Sequence, residues 1–127
     1  MSDLVIARGA HDHTETLSRA VTAIEARGFA IVQRIDHAAA AATAGQELPP
    51  STVLVFGNPK AGTQLMLLAP SLALDLPLRL VVWKAGEIVQ VAYRRPASMV
   101  ATHGLAEHAI VTKMTDALAA IASDATR

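Results

Sequence analysis

The sequence contains no cysteine among its 127 residues. This absence excludes a disulfide framework, a thiolate nucleophile and a zinc site with cysteine ligands. Aromatic residues make up only 3% of the chain, which is too few for a surface that stacks nucleobases or a flat cofactor. We therefore predict that the protein uses no cofactor.

Charge is also scarce, at 17% of the residues, and 11 basic residues balance 11 acidic ones. A neutral chain with dispersed lysines and arginines lacks the basic surface that binds nucleic acid or anionic lipid. The longest chargeless apolar stretch, residues 61–74, is interrupted by Gly62, Gln64 and Pro70 and is too short to span a bilayer. The first residues lack the features of a secretory signal. We expect a cytoplasmic protein that binds neither nucleic acid nor membrane.

Apolar residues, in contrast, are abundant and make up 52% of the chain. A domain of this length has a large surface relative to its volume and cannot bury all of them. An apolar surface left over in this way is typically covered by another subunit. The composition therefore predicts a homodimer.

Strand-like and helix-like patterns alternate along the chain, with no linker or repeat to divide it. Predicted strands cover residues 4–8, 29–36, 52–56, 78–83 and 87–93, and predicted helices lie at residues 12–28, 36–45, 65–68, 99–103 and from Leu105 onward. We therefore expect one domain, residues 1–127, with a two-layer α+β sandwich in which helices pack on four or five mostly antiparallel or mixed strands. Two details can be tested: Asp12 and Glu15 have the spacing of a capping box, and Phe29, Ile31 and Gln33 should share one strand face.

The stretch "FGNPKAGT", residues 56–63, follows the most apolar predicted strand. Gly57 and Gly62 have the separation of a phosphate-binding Walker loop, but Thr63 stands where that motif needs lysine. A nucleoside-triphosphate motor is therefore excluded. Backbone N–H groups at such a strand-to-helix turn can still hold an anion or a carboxylate, although an ordinary turn has the same composition. The residues predicted to bind a ligand are His37, Gly57, Asn58, Pro59, Lys60, Gly62 and Thr63.

His37 joins this set only under one topology. If residues 38–51 form a crossover, the second and third strands are parallel, and His37 and residues 57–63 emerge at the same edge of the sheet. If the two strands are antiparallel, His37 and the loop lie at opposite ends, and a shared site fails.

The five histidines suggest a metal site or acid–base chemistry. No pair has the spacing of a recognised metal-ligand motif, so no metal site is predicted. The candidate catalytic residues are His37, His103 and Asp75, because imidazole suits proton transfer and Asp75 is embedded in the apolar stretch "LALDLPL". No serine lies in a nucleophile-elbow setting, so the sequence gives no support for a serine hydrolase.

The stretch "IDHAAAAATAGQELPPSTVLVFGNPKAGTQLMLLAPSLALDLPLRLVVW", residues 35–83, resembles the domain-of-unknown-function family numbered three hundred and two. The resemblance implies a compact α+β domain, usually a homodimer, that occurs alone or fused to other modules; it implies no activity. The recurrent blocks of the family fall on His37, Gly57, Asn58, Pro59, Lys60, Gly62, Thr63, Asp75, Pro77 and His103. Some relatives have cysteine in the loop, and a redox or metal role for them would not carry over to this chain.

Three functions therefore stay open. The leading hypothesis is a homodimeric regulatory or carrier module that binds a small polar or anionic molecule. The first alternative is a small enzyme in which His37 or His103 is the general base and Asp75 assists. The second is a structural or protein-interaction domain without a ligand, whose glycines and prolines only shape the fold.

Overall fold

A computed structural model describes residues 3–127. Its strands are β1 (Leu4–Arg8), β2 (Ala30–Asp36), β3 (Ser51–Gly57), β4 (Leu78–Ala85) and β5 (Ile88–Arg94). Its helices are α1 (His13–Ala26), α2 (His37–Thr43), α3 (Pro59–Leu68), α4 (Pro96–Thr102) and α5 (Ala109–Thr126), with a 3₁₀ segment at Pro70–Leu74. Every helix in this part of the chain falls short of the length and apolar content that crossing a membrane would require.

The five strands form one sheet in the order β1-β5-β4-β3-β2, and every neighbouring pair is antiparallel. Helices α1 and α5 pack against each other and against one face of this sheet. The core between the two layers contains side chains with no exposed surface, including Ile24 of α1, Leu54 of β3, Leu80 of β4 and Ile121 of α5. The predicted α+β sandwich is therefore confirmed, with five strands and no parallel pair.

The antiparallel pairing of β2 and β3 decides the conditional prediction about His37. Asp36 at the end of β2 lies opposite Thr52 at the start of β3, and Ala30 lies opposite Gly57. The condition of a crossover is therefore not met. Helix α2 packs beside β3 instead of carrying the chain across to the other end of the sheet. The chain turns back at the end where it left the sheet.

Strand β2 also departs from the predicted alternation. A bulge interrupts its pairing between Ile31, which lies opposite Phe56, and Gln33, which lies opposite Val55. Neighbours along β3 point to opposite faces, so Ile31 and Gln33 are on different faces, contrary to the prediction. The extra residue of the bulge, Val32, is 63% exposed.

Three helices begin at residues other than those predicted, and one of them, α4, starts at Pro96 and not at Met99. Helix α3 starts at Pro59 and not near Leu65, because proline has the backbone conformation of a first helical turn. Helix α5 starts at Ala109 and not near Leu105, because the Nδ1 atom of His108 accepts a hydrogen bond from the backbone N–H of Ile110 at 3.0 Å. Most of the stretch "FGNPKAGT" therefore belongs to the first turn of α3.

The start of α1 has one of the two hydrogen bonds of the predicted capping box. The carboxylate of Asp12 accepts a hydrogen bond from the backbone N–H of Glu15 at 2.8 Å. The Glu15 side chain does not return the bond to the cap. It pairs with Arg19 one turn along the helix, at 3.0 Å.

The sheet face opposite the core carries an apolar row that crosses all five strands. The row follows from the strand register: Ile6 lies opposite Ala92, Ala92 opposite Val81, Val81 opposite Val53, and Val53 opposite Ile35. Paired residues share a face, and Val53 and Val81 directly precede or follow the core residues Leu54 and Leu80. Ile6, at the edge, is 55% exposed.

Candidate functional site

A cleft of about 800 Å³ opens at the end of the sheet where β3 finishes. Its walls come from the end of α1, the start of β2, the first turns of α3 and α5, and the residues just before β4. Five of the predicted ligand residues line it, namely Gly57, Asn58, Pro59, Lys60 and Gly62. The glycine-containing stretch is thus part of a concave surface of a size that small-molecule sites have.

Gly57 lets one wall of the cleft approach closely. A Cβ atom at Gly57 would lie 3.2 Å from the Cβ of Pro77, which is tighter than ordinary van der Waals contact. Leu76 and Pro77, joined by a cis peptide bond, belong to the lining of the cleft, and Pro77 packs directly against this glycine. A larger residue at position 57 would push that wall away.

The backbone amides of Lys60, Ala61 and Gly62 are already bonded, which corrects the expected way of binding an anion. The side-chain oxygen of Asn58 accepts hydrogen bonds from the N–H groups of Lys60 at 3.0 Å and Ala61 at 3.4 Å. The N–H of Gly62 bonds to the carbonyl of Asn58 at 2.9 Å, and Pro59 has no N–H. The first turn of α3 therefore offers its dipole to a ligand, and side chains have to supply the hydrogen-bond donors.

Three cationic side chains line the cleft: Arg27 at the end of α1, Lys60 in α3 and Lys113 in α5. All three are exposed, and none of them pairs with a carboxylate within residues 3–127. Of the described residues that line the cleft, none is Asp or Glu. The cleft is therefore electropositive, although the protein as a whole is neutral.

The remaining lining is largely apolar. Phe29 and Met66 are half-buried against the hydrophobic core, and Leu76 and Ile110 pack beside them. The Phe29 ring meets the buried Phe56 edge to face at 5.5 Å between centroids, which holds the floor of the cleft in place. An apolar floor beneath three cations suits a ligand with an apolar body and an anionic end.

Two predicted ligand residues lie elsewhere. His37 starts α2 at the far end of β2, about 20 Å along the sheet from Asn58, so the shared site with the loop is not formed. Thr63 is exposed on α3 and is not among the residues that line the cleft. Arg27 and Lys113 line the cleft instead. No signal in a single sequence indicates that these distant residues lie near the loop.

His103 and Asp75, both predicted as acid–base candidates, are in contact. The Nε2 atom of His103 lies 2.5 Å from the Asp75 carboxylate, and its Nδ1 atom lies 2.6 Å from the hydroxyl oxygen of Ser71. The imidazole is only 6% exposed, while 39% of the Asp75 side chain is exposed. Ser71 was missed, because no signal in the sequence links it to His103, which is 32 residues further along the chain.

Three other histidines form hydrogen bonds within the fold. The Nε2 atom of His13 lies 3.2 Å from the carbonyl oxygen of Val82 and 3.4 Å from the hydroxyl of Thr52. His11 bonds to the carbonyl of Arg127, and His108 caps α5. Within residues 3–127, no three His, Asp or Glu side chains are placed to hold a metal ion.

The architecture defines an α+β sandwich with an open antiparallel sheet and a cleft at one end. The chain belongs to the family described as "Domain of unknown function DUF302", whose sequence model matches residues 7–121. The predicted family resemblance is thereby confirmed. The crystal structure of an uncharacterized conserved DUF302 protein from Bacillus stearothermophilus covers 100% of both chains with a TM-score of 0.88 at 18% identity, which shows the same fold.

Sequence relatives include two Brucella proteins named fluoride-specific ion channel FluC 1. The protein of Brucella suis is 36% identical over 105 residues, which are 82% of this chain and 41% of the relative. The protein of Brucella abortus is also 36% identical over 105 residues, which are 39% of its length. This chain therefore spans about two-fifths of the length of these relatives.

Proposed function

We propose that residues 1–127 form one regulatory or carrier domain that acts as a homodimer and binds a small amphipathic organic anion in the cleft. The observation that carries this proposal is the set of three cations, Arg27, Lys60 and Lys113, around an apolar floor without a carboxylate. Lys60 stands in the first turn of α3, where a positive charge opposes the helix dipole. Folding alone would favour an acidic residue there, so the lysine supports a role in binding.

The cleft fits an organic anion better than a small inorganic one. A bare charge leaves water at a large cost unless donors enclose it, and the three cations are exposed around an open space of about 800 Å³. Fluoride, the ion in the names of the Brucella relatives, would keep its hydration shell in such a cleft. An aliphatic carboxylate would place its chain on the apolar floor and its head among the cations. We infer a regulatory role beside a channel rather than a conducting role.

Isothermal titration calorimetry with sodium octanoate, acetate, phosphate and fluoride tests the ligand class. Octanoate should bind, acetate should bind more weakly because it lacks the chain, and fluoride should give no binding heat. Lys60→Gln and Lys113→Gln should each weaken octanoate binding about two- to fivefold, the value of an exposed charge contact. Lys84→Gln, which changes an exposed lysine near the end of β4, is the matched control.

Two outcomes would contradict the proposed ligand. One is the absence of octanoate binding, both in heat and in the amide chemical shifts of the cleft residues. The other is an equal effect of Lys60→Gln and Lys84→Gln, which would place the anion outside the cleft. An empty cleft would favour the alternative of an interaction domain without a ligand.

The apolar row on the outer sheet face supports the homodimer. It runs through Ile6, Ala92, Val81, Val53 and Ile35 without a charged member. The helices α1 and α5 cover the other face, so a second copy placed sheet to sheet would bury this row. Such burial would account for the apolar surplus of the sequence.

Native mass spectrometry and light scattering of the untagged protein test the dimer. Ile6→Lys places a charge in the row at a site that is 55% exposed, and should produce monomers without unfolding the chain. Leu67→Lys, on α3 and 78% exposed, should leave the dimer intact. A wild-type monomer, or dissociation by Leu67→Lys alone, would refute sheet-to-sheet pairing.

A further inference from the structure

Ser71, His103 and Asp75 form a hydrogen-bonded polar cluster outside the cationic cleft. Ser71 belongs to the 3₁₀ segment, Asp75 ends it, and His103 follows the last residue of α4. The two hydrogen bonds of the imidazole, at 2.6 Å and 2.5 Å, use both of its ring nitrogens. None of the three residues lines the cationic cleft.

The chemistry of the partners sets the proton positions. An ionised carboxylate only accepts hydrogen bonds, so the Nε2–H of His103 donates to Asp75. In the neutral ring, Nδ1 is then the acceptor, and the Ser71 hydroxyl donates to it. The serine proton therefore points at a base, and the base is oriented by a carboxylate. These are the roles that activate a serine nucleophile.

Exposure in the cluster matches these roles. Ser71 is on the surface, where a substrate can reach its oxygen, whereas the imidazole is 6% exposed. A buried ring held at both nitrogens keeps one orientation without the freedom to rotate away. A cluster that only joined the 3₁₀ segment to α4 would not need an exposed hydroxyl at its end.

We propose that Ser71 is a nucleophile for carboxylic esters, with His103 as its general base and Asp75 as a positioning residue. The Oγ atom attacks the ester carbonyl, and its proton moves to Nδ1 of His103. The bond from the carbonyl carbon to the alkoxy oxygen then breaks, and the alcohol leaves with that proton. Water attacks the acyl-serine through the same base, which releases the carboxylic acid and restores the Ser71 hydroxyl.

Apolar surface next to Ser71 provides a place for the acyl chain. In a 3₁₀ helix, residues three apart lie on the same side, so Leu74 is on the side of Ser71, and it is 80% exposed. An ester with a short aliphatic acyl group fits this surrounding better than a charged one.

The test is labelling with an alkyl fluorophosphonate, followed by peptide mass spectrometry, together with hydrolysis of p-nitrophenyl butyrate. We expect the adduct at Ser71 and not at the exposed Ser18 of α1. Ser71→Ala should abolish both signals, and His103→Gln should slow labelling about 100-fold, the typical worth of a general base. Asp75→Asn should slow it about 10- to 100-fold, the worth of a hydrogen bond to a charged group. His37→Gln, an exposed histidine, is the control.

The wild-type protein alone can overturn the proposal. Labelling of Ser71 no faster than that of Ser18 would show an unactivated hydroxyl, even if a variant failed to fold. Unchanged labelling in folded His103→Gln would exclude the imidazole as the base. A loss of thermal stability in these variants without any wild-type labelling would assign the cluster to the fold. Ester hydrolysis and anion binding are measured separately, and either can fail without the other.

Discussion

The side-chain oxygen of Asn58 lies 3.0 Å from the backbone nitrogen of Lys60 and accepts its hydrogen bond. The same residue therefore caps α3 and borders the cleft that Lys60 lines. This bond uses an amide that the glycine-containing stretch would otherwise present to an anion. Residue 58 therefore affects both the stability of α3 and the binding of a ligand in the cleft, and two substitutions distinguish these effects.

Asn58→Ala should lower the free energy of unfolding by about 1 kcal/mol, the usual cost of losing a side-chain N-cap. The N–H groups of Lys60 and Ala61 would lose their shared acceptor. Urea denaturation of the ligand-free protein measures the change. A loss below a few tenths of a kcal/mol would mean that solvent replaces the cap without cost.

Asn58→Asp should keep the cap and weaken the binding of an organic anion. A carboxylate accepts the same two hydrogen bonds and interacts favourably with the helix dipole, so the unfolding free energy should stay at or above the wild-type value. The new negative charge would repel the ligand, by up to about fivefold in Kd, and less so at high salt. Calorimetry with octanoate at two salt concentrations checks this. Equal affinity of the two proteins would place the anion away from α3.

Two glycine-to-alanine substitutions should change the free energy of unfolding in opposite directions. A Cβ at Gly9 would lie 2.9 Å from the carbonyl oxygen of Val89, to which Gly9 also donates a hydrogen bond at 2.7 Å. Gly9→Ala should therefore cost about 1–3 kcal/mol, as overpacking against backbone does. Gly62 lies inside α3, and the nearest atoms to an added Cβ are at 3.9 Å. Gly62→Ala should stabilise by about 0.5–1 kcal/mol, because alanine favours the helix.

Urea denaturation of both variants compares these two values with the wild type. Octanoate affinity should be unchanged in Gly62→Ala, because the added Cβ atom would make only ordinary van der Waals contacts, at 3.9 Å. A destabilised Gly62→Ala would show that the glycine itself is needed at this position, as in a backbone-binding loop.

Local features of the fold could be predicted from the sequence because they depend on neighbouring residues. Asp12 and Asp36 cap the helices that follow them, as their positions indicated. The bulge at Val32 and the cap by His108 were not predictable in the same way. The bulge depends on how β2 pairs with β3, and histidine is an uncommon cap whose role appears only when the chain approaches α5 at the required angle.

The candidate site could be predicted only in part, for a similar reason. The stretch from Gly57 to Gly62 was visible as a continuous motif, and it does line a cleft. Arg27 and Lys113 reach that cleft from α1 and α5 through tertiary packing alone. His37 was grouped with the loop on the condition of a parallel pairing, and β2 and β3 pair antiparallel. The contact of His103 with Asp75 joins two predicted candidates that are 28 residues apart.

Tyr93 should make the stability of the protein fall at alkaline pH. Burial against the core raises the pKa of the Tyr93 hydroxyl above its ordinary value of 10.0, and the nearby Arg95 charge offsets part of this rise. In the unfolded chain the hydroxyl ionises near its ordinary pKa, so above about pH 10 the unfolded state loses this proton first. The contribution of Tyr93 to stability is therefore fully present below that pH and is lost as the pH rises through the folded-state pKa.

Urea denaturation of wild type and Tyr93→Phe between pH 8 and pH 11 measures this effect. The difference in unfolding free energy between the two proteins should be constant at pH 8 to 9 and should shift in favour of Tyr93→Phe above it. All other groups are the same in both proteins, so their contributions cancel in the difference. Because the chain has one tyrosine, absorbance at 295 nm reports its ionisation directly in the folded state. Parallel stability curves together with an ordinary tyrosine titration would show that the Tyr93 hydroxyl reaches solvent.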